Sequence, residues 1–203
     1  MARPPKITNE EILAAARQVF LEQGEGGSTL EIAQKAGISE ASIFKRFSTK
    51  QALFLAAIGI SETSQYVKLL SSQTPTAEIR SELTEICTQM LGFYQEVMPR
   101  VMMMMTKTKS SLPPLVPPPF RDVQLFAGYL DRAISQGQLK SCDSVTVAHA
   151  IVGAINSYAM TQTIANTVLS PLPFILPKLK SSEPTTFIHN LIETLWVSIA
   201  PTE

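Results

Sequence analysis

The chain contains few cysteines and carries no excess charge of either sign. Its two cysteines, Cys87 and Cys142, do not form a CxxC pair. We expect reduced, partly buried thiols, with a disulfide or a redox sensor as the alternative. Because 17 basic and 17 acidic residues cancel, the net charge indicates no polyanionic partner. Residues 1–8 lack the apolar run of a secretion signal, so we expect a cytoplasmic protein.

Recognisable catalytic motifs are also missing. The sequence contains no P-loop, no GxGxxG and no HExxH, and we find no Ser/His/Asp arrangement. The two histidines, His149 and His189, have no metal-ligating partner at helical spacing. We therefore expect no enzyme, no cofactor and no metal site, although catalytic groups can converge from distant positions.

One long stretch lacks charge. No charged residue lies between Asp143 and Lys178, which is long enough to span a bilayer. However, the stretch contains His149, Asn156 and several Ser, Thr and Gln residues, and it continues into prolines 171, 173 and 177. This polarity argues against contact with lipid. We expect a long helix buried by protein, with Asp143 as its N-cap, and no membrane partner.

Helical spacing dominates the rest of the sequence. Apolar residues recur at i, i+3 and i+4, while the strict alternation of strands is rare, so we predict an all-α fold. Capping boxes predict helix starts at Thr8, with Glu11, and at Ser48, with Gln51. A helix over about 76–97 is expected to end at Pro99, with a short one over 101–109.

The segment from Ser28 to Phe54, STLEIAQKAGISEASIFKRFSTKQALF, places two short helices around a tight turn. Ala33 is small enough for the helices to approach, and Gly37 can adopt the left-handed conformation of a sharp helix stop. Thr29, Ala33, Gly37 and Ile43 have the spacing of a helix-turn-helix, which can hold its second helix in the major groove of DNA. The alternative is an ordinary helical hairpin.

Basic residues follow this turn. Lys45, Arg46 and Lys50 lie within six residues, although residues 1–50 as a whole carry seven basic and six acidic residues, a balance of +1. The placement of the charges therefore favours DNA more than their number does. Arg3 and Lys6 form a short basic arm that could reach the backbone or a minor groove, or could be a solvated tail.

From Thr29 to Phe54 the chain resembles the N-terminal DNA-binding segment of the tetracycline-repressor (TetR) family of bacterial transcriptional regulators. The resemblance extends over about residues 7–58. It implies a three-helix helix-turn-helix DNA-binding domain over residues 1–52. It also implies a larger helical domain over residues 53–203 that binds a small molecule and dimerises. The residues expected to face DNA are Thr29, Ser39, Glu40, Ala41, Ser42, Phe44, Lys45, Arg46 and Lys50, with Thr29 and Lys50 at phosphate-contacting positions.

Three of these residues need separate comment. The family often has Tyr where this chain has Phe44, so the contact here would be apolar, such as one to a thymine methyl group. The family often has His in place of Arg46, which could contact a phosphate or lie toward the core and extend outward. Glu40 could accept from a cytosine amino group, or could serve only the helix dipole.

Two further sets of residues complete the hypothesis. Two apolar helices, about 144–168 and 185–199, could form an intersubunit four-helix bundle, or could be buried within one protomer. The expected interface residues are Ile151, Ile155, Tyr158, Ile188, Ile192, Leu195 and Trp196. The expected pocket for a hydrophobic or aromatic ligand comprises Met90, Phe93, Tyr94, Met98, Met102, Met105, Phe120, Phe126 and His149, unless these are ordinary core residues.

The sequence thus predicts a homodimeric regulator that binds a two-fold symmetric operator in double-stranded DNA, most plainly as a repressor, and responds to a small hydrophobic ligand. One rival is a helical carrier of hydrophobic molecules with no role on DNA. Another is a small-molecule enzyme built on a helical bundle. Only the regulator should bind duplex DNA with an affinity that falls steeply as salt rises.

Overall fold

The structure, a computed structural model, describes residues 7–60, 64–107, 118–168 and 182–201. Within these ranges all regular structure is helical, which confirms the all-α prediction. The α-helices are α1 (Asn9–Gln23), α2 (Thr29–Ala36), α3 (Glu40–Arg46), α4 (Lys50–Ile58), α5 (Gln65–Ser72), α6 (Ile79–Lys107), α7 (Pro118–Ser135), α8 (Ser144–Val168) and α9 (Pro184–Ile199). None of these helices is both long enough and apolar enough to cross a membrane.

The chain divides into two compact units. The first comprises Met1–Ser61 and Pro99–Leu115, and the second comprises Glu62–Met98 and Val116–Glu203. The first unit therefore continues past residue 52, where the sequence placed the domain boundary. The reason is that α4 buries Leu53 and its neighbours in the core of this unit.

The core of the first unit is built by α1 to α4. Ile12 and Phe20 of α1, Ile32 of α2, Ile43 of α3 and Phe54 of α4 are each at most 1% exposed. The rings of Phe20 and Phe54 pack edge to face with centroids 5.0 Å apart. The apolar stripe of each short helix is thus used within the unit, which leaves the opposite faces to solvent.

Local capping signals set most of the helix starts. Thr8 and Glu11 form the predicted capping box of α1, and Gly37 ends α2 with φ +67°. The prediction for α4 was wrong by one residue: the N-cap is Thr49, whose hydroxyl accepts from the Ala52 N–H at 3.0 Å. Ser48 and Thr49 are both good caps, so the sequence alone could not decide between them.

Pro99 does not end a helix as predicted, because α6 continues through it to Lys107. Proline has a φ compatible with a helix, and its cost is the loss of one backbone hydrogen bond together with ring crowding. The two predicted helices are therefore one, and the division between the two units falls at Met98 and Pro99.

The second unit packs α5, α7, α8, α9 and the N-terminal part of α6 around one core. Its buried side chains include Tyr66 of α5, Met90 of α6, Phe126 of α7, Ile151 of α8 and Ile192 of α9. Asp143 caps α8 as expected, accepting from the backbone of Val145 and Thr146 at 3.1 and 3.2 Å.

Candidate nucleic-acid interface

The helix expected to meet DNA, α3, is anchored by one side and open on the other. Ile43 is fully buried beneath the turn. Ala41 and Lys45 are exposed on the outer side, and Phe44 leaves 39% of its surface accessible. This face therefore presents one apolar and one cationic side chain side by side.

Ser39 fixes the start of α3. Its hydroxyl accepts from the backbone N–H of Ser42 at 3.3 Å and lies 2.8 Å from the Ser42 hydroxyl. The cap is formed as the sequence predicts. Both serine side chains thus serve the helix end.

Arg46 is held within the first unit. Its Nη1 donates to the carbonyl oxygen of Ile7 at 2.7 Å and to Oδ1 of Asn9 at 3.2 Å. These bonds link the end of α3 to the residues that open α1. The sequence left two roles open for Arg46, a phosphate contact or a position toward the core. The structure favours the second, because the guanidinium is bonded to residues at the start of α1.

Thr29 and Glu40 meet across the turn. The Thr29 hydroxyl donates a hydrogen bond to the Glu40 carboxylate, and both side chains are partly buried. Thr29 is the first residue of α2 and Glu40 is the first residue of α3. Two residues expected to face DNA are thus bonded to each other.

The other cations of α1 to α4 fall into two groups. Arg17 donates to the Ala57 carbonyl oxygen at 2.9 Å, and Lys35 lies 3.9 Å from the carboxylate of Glu31. Lys45 and Lys50 make no ion pair or hydrogen bond with another side chain in the described part of the chain. The arm residues Arg3 and Lys6 lie outside the described residues. Lys45 and Lys50 are therefore the cations best placed to meet an external anion.

Comparison with known proteins bears on this unit. A family model described as bacterial regulatory proteins, tetR family, matches residues 12–57. This part of the chain therefore resembles the tetR family of bacterial regulatory proteins. The match begins in α1 and ends in α4, so it covers the helix-turn-helix and the two helices that pack against it.

Two relatives align with about a quarter of this chain. The uncharacterized HTH-type transcriptional regulator YvkB of Bacillus subtilis is 46% identical over 52 residues, 25% of this chain and 28% of that protein. The HTH-type transcriptional repressor BepR of Brucella suis is 49% identical over 53 residues, 26% of this chain and 25% of that protein. The chain thus aligns with about a quarter of the length of each relative.

The fold likeness extends over nearly the whole chain. The structure of the transcriptional regulator FadR from Bacillus subtilis in complex with stearoyl-CoA has a TM-score of 0.57. It covers 93% of this chain and 97% of FadR at 15% identity. At this identity the likeness concerns the fold, and it includes the helices of the second unit.

The structure does not gather the residues of the expected ligand pocket into one place. Met90, Tyr94 and Phe126 are buried in the core of the second unit, and Phe93 packs against that core. Met98 is half-buried at the end of this unit's part of α6, whereas Met102 belongs to the first unit. The side chain of Met105 lies outside the described residues.

Phe120 and His149 line a different feature. Both lie at a small surface depression of about 170 Å³ between α7 and α8, together with Val152, Gly153 and Asn156. Phe120 is 66% exposed, and His149 is exposed as well. These two residues are therefore separated from the buried aromatic residues with which the sequence grouped them.

The second unit contains a buried polar cluster that was not predicted from the sequence. Asp122 of α7 is fully buried, and its Oδ2 accepts from the hydroxyls of Tyr66 at 2.9 Å and Tyr94 at 2.8 Å. Arg121 donates to Oδ1 of Asp122 at 3.0 Å and to the Tyr66 hydroxyl at 3.0 Å. The carboxylate thus ties α5, α6 and α7 together.

The same cluster changes the acidity of both tyrosines. Burial, followed by the negative charge of Asp122, raises the pKa of the Tyr66 and Tyr94 hydroxyls far above the usual range of tyrosine. Both hydroxyls are therefore protonated donors at any physiological pH. The ring of Phe93 packs against both, with centroids 5.4 and 5.8 Å away.

The expected dimer residues fall into two classes. Ile151, Ile155, Ile188 and Ile192 are each at most 2% exposed and face the core of their own protomer. These four side chains therefore cannot contact a second protomer in this conformation, because none has surface left for a partner.

The other three interface residues keep part of their surface. Tyr158 stacks on Phe187 at 4.2 Å and donates to the Ser182 carbonyl oxygen, so it joins α8 to α9 within one protomer. Leu195 and Trp196 are half-buried, and the guanidinium of Arg80 lies 5.5 Å from the centre of the Trp196 ring. These contacts leave the outer faces of α8 and α9 as the surface to consider for a dimer.

Proposed function

We propose that this protein is a homodimeric transcriptional regulator of the tetR family that represses genes by binding a two-fold symmetric operator in double-stranded DNA. The observation that carries the proposal is the exposed face of α3, where Ala41, Phe44 and Lys45 point outward while Ile43 is buried beneath them. This face lies in the segment that matches the family. Such a protein acts where the DNA is, in the cytoplasm.

The exposed residues suit the major groove. Phe44 can pack against a thymine methyl group, and Lys45 can reach a guanine edge or a phosphate. Lys50, at the first residue of α4, can pair with the phosphate backbone. Arg46 takes no direct part in this scheme, because its guanidinium is bonded to Ile7 and Asn9.

A second copy would bind through the outer faces of α8 and α9. The exposed positions of α8 include Ala150, Gly153 and Ser157, and those of α9 include Thr194 and Val197, which is 82% exposed. None of these residues is charged, and their small side chains permit close approach of helices. A two-fold symmetric dimer carries two α3 helices, which suits an operator whose half-sites lie in successive major grooves about 34 Å apart.

The second unit would respond to a hydrophobic ligand. Its core contains Met90, Phe93, Tyr94 and Phe126, which are side chains of the kind that contact an apolar molecule. The FadR structure, which shares the fold, contains stearoyl-CoA. A ligand that favours a dimer with misplaced α3 helices would release the operator, and a coupling of about 1–3 kcal/mol is typical of such switches.

The first experiment is selection of bound duplexes from a random-sequence DNA pool by the purified dimer. We expect enrichment of a two-fold symmetric motif by the wild type and none by the Lys45→Ala/Lys50→Ala double variant. No enrichment by folded, dimeric wild-type protein would favour the hydrophobic carrier instead.

Salt dependence provides the matched control. Each ion pair with a phosphate releases counterions, so affinity falls as salt rises. The Lys45→Ala variant should make the slope of log affinity against log salt less steep by about 0.9 per protomer. Arg46→Ala, checked for folding by circular dichroism, should leave this slope unchanged. An equal loss of slope in both variants would contradict the assignment of Lys45 and Arg46.

A further inference from the structure

The hydrogen bond between Thr29 and Glu40 joins the two helices of the helix-turn-helix at their first residues. Thr29 opens α2 and Glu40 opens α3, with 11 positions between them in sequence. Elsewhere α2 and α3 are connected by the turn at Gly37 and by the buried pair Ile32 and Ile43. The bond therefore adds a polar connection at the N-terminal end of α3, in addition to the apolar core.

This bond also occupies the groups that DNA would use. A hydroxyl has one hydrogen, so Thr29 cannot donate to a phosphate while it donates to Glu40. A carboxylate bonded to α2 is likewise directed toward the protein, which limits its approach to a cytosine amino group. The observed contact thus argues against a direct role on DNA for either side chain.

We propose that Thr29 and Glu40 form a positioning pair that fixes α3 against α2, and that neither residue reads the operator directly. The proposal rests on the DNA-binding function proposed above. Base recognition depends on the angle at which α3 enters the groove, whereas attraction to phosphates depends mainly on Lys45 and Lys50. Loss of the pair therefore lowers sequence specificity more than it lowers non-specific affinity.

The pair itself is tested without DNA, by chemical unfolding of the full chain. The variants are Thr29→Val, Glu40→Ala and the double variant. The control is Thr88→Val, since among the described residues the Thr88 hydroxyl bonds only the Thr84 carbonyl of its own helix. We expect the double variant to be no less stable than the worse single variant, because residues in one bond are non-additive. Strict additivity of the two single effects would overturn the pair.

Positioning is tested by the ratio of affinities for the selected operator and for a scrambled duplex. Thr29→Val and Glu40→Ala should each lower this ratio by roughly tenfold, equivalent to about 1.4 kcal/mol. Thr29→Ser keeps the donor and Glu40→Gln keeps an acceptor, so both should hold the ratio within about twofold. A pair that only stabilised the fold would not show this rescue pattern at a temperature where all variants are folded.

Two results would overturn the proposal. If Thr29→Val weakens binding equally with Glu40 present and with Glu40→Ala, the Thr29 hydroxyl contacts DNA independently. If Glu40→Gln abolishes the preference for one cytosine in a repeated selection, Glu40 reads that base. Failure of the wild type to select DNA would reject the proposed function, while the unfolding experiment would still decide whether the pair exists.

Discussion

At the scale of single residues, Asp122 is bonded to three other side chains of the second unit. It is a fully buried carboxylate that accepts from two tyrosine hydroxyls and a guanidinium. Buried ion pairs add little net stability compared with apolar residues, but removing one partner leaves the others buried and unsatisfied. The cluster therefore specifies how α5, α6 and α7 meet more than it strengthens the core.

Replacement of Asp122 by Ala should lower the free energy of unfolding by about 3–5 kcal/mol, because the Arg121 charge and two hydroxyls lose their acceptor. Tyr66→Phe should cost about 2 kcal/mol, since it removes two hydrogen bonds, one to Asp122 and one from Arg121. Urea unfolding measures both, with Asp131→Ala, an exposed position of the same helix, as the control. A cost for Asp122→Ala no larger than that control would show that the cluster is not formed.

The cluster could not be predicted from local sequence, because Tyr66 and Tyr94 lie 56 and 28 positions from Asp122. One signal was present: Asp122 occupies the same helical stripe as Phe126 and Tyr129, which are both buried. An acidic residue at an apolar position of an amphipathic helix indicates a buried partner. The cap at Thr8, by contrast, depends on residues within three positions and was predicted correctly.

At the scale of elements, two glycines of the first unit are required for different reasons. Gly37 has φ +67°, where a side chain is strained although no atom lies within 4 Å of the position of a Cβ. Gly27 has φ −49°, but a Cβ there would lie 2.9 Å from Cγ1 of Val19. One position therefore needs a conformation, and the other needs space.

Substitution by Ala should separate these two requirements. Gly37→Ala should cost about 1–2 kcal/mol from left-handed backbone strain, and Gly27→Ala about 1–3 kcal/mol from overpacking. Gly26→Ala is the control, because no atom lies within 4 Å and the backbone is not left-handed, so its effect should stay within about 0.5 kcal/mol. Thermal unfolding would contradict this account if Gly26→Ala were the most harmful of the three.

The hydrogen bond from Tyr129 of α7 to Glu82 of α6 makes the stability of the protein depend on pH. Burial alone would raise the pKa of Glu82, but hydrogen bonds from Thr76 and Tyr129 outweigh it and lower the pKa. Because the folded pKa lies below the unfolded one, the stabilisation is present above about pH 4.3 and is lost as the pH falls through the folded pKa.

Glu82→Gln should therefore unfold at a lower temperature than the wild type at pH 7 and lose less stability between pH 6 and pH 3. Glu85→Gln, at an exposed position one turn along α6, is the control. Parallel melting-temperature profiles for the wild type and Glu82→Gln would show that this carboxylate does not contribute.

Helix lengths show where local signals stop being sufficient. The start of α3 and the stop of α2 follow from Ser39 and Gly37, whose effects are confined to one turn. The passage of α6 through Pro99 does not, because a proline costs a helix a limited amount that packing on both sides can offset. The residues around Pro99 therefore do not by themselves show whether the helix ends there.

At the scale of the whole molecule, the sequence of an apolar helix does not show whether the helix packs against its own core or against a second protomer. The sequence indicated Ile151, Ile155, Ile188 and Ile192 for a dimer because both helices are apolar beyond a single stripe. The structure buries all four inside the protomer. Periodicity identifies a buried face, but it does not identify what covers that face. An interface formed by these two helices would therefore use their opposite sides.

A charge on the outer face of α8 or α9 should break the proposed dimer. In a two-fold interface a residue near the axis meets its own copy, so Ser157→Arg or Thr194→Arg would bring two like charges together. We expect sedimentation to show the protomer mass of 22.2 kDa for these variants and twice that mass for the wild type. His189→Arg adds the same charge to another exposed side of α9 and should remain dimeric.

Since a monomer engages one half-site, the Ser157→Arg and Thr194→Arg variants should also lose the preference for the two-fold symmetric motif over a single half-site. Dimers of unchanged operator affinity in both variants would place the interface on another surface of the second unit.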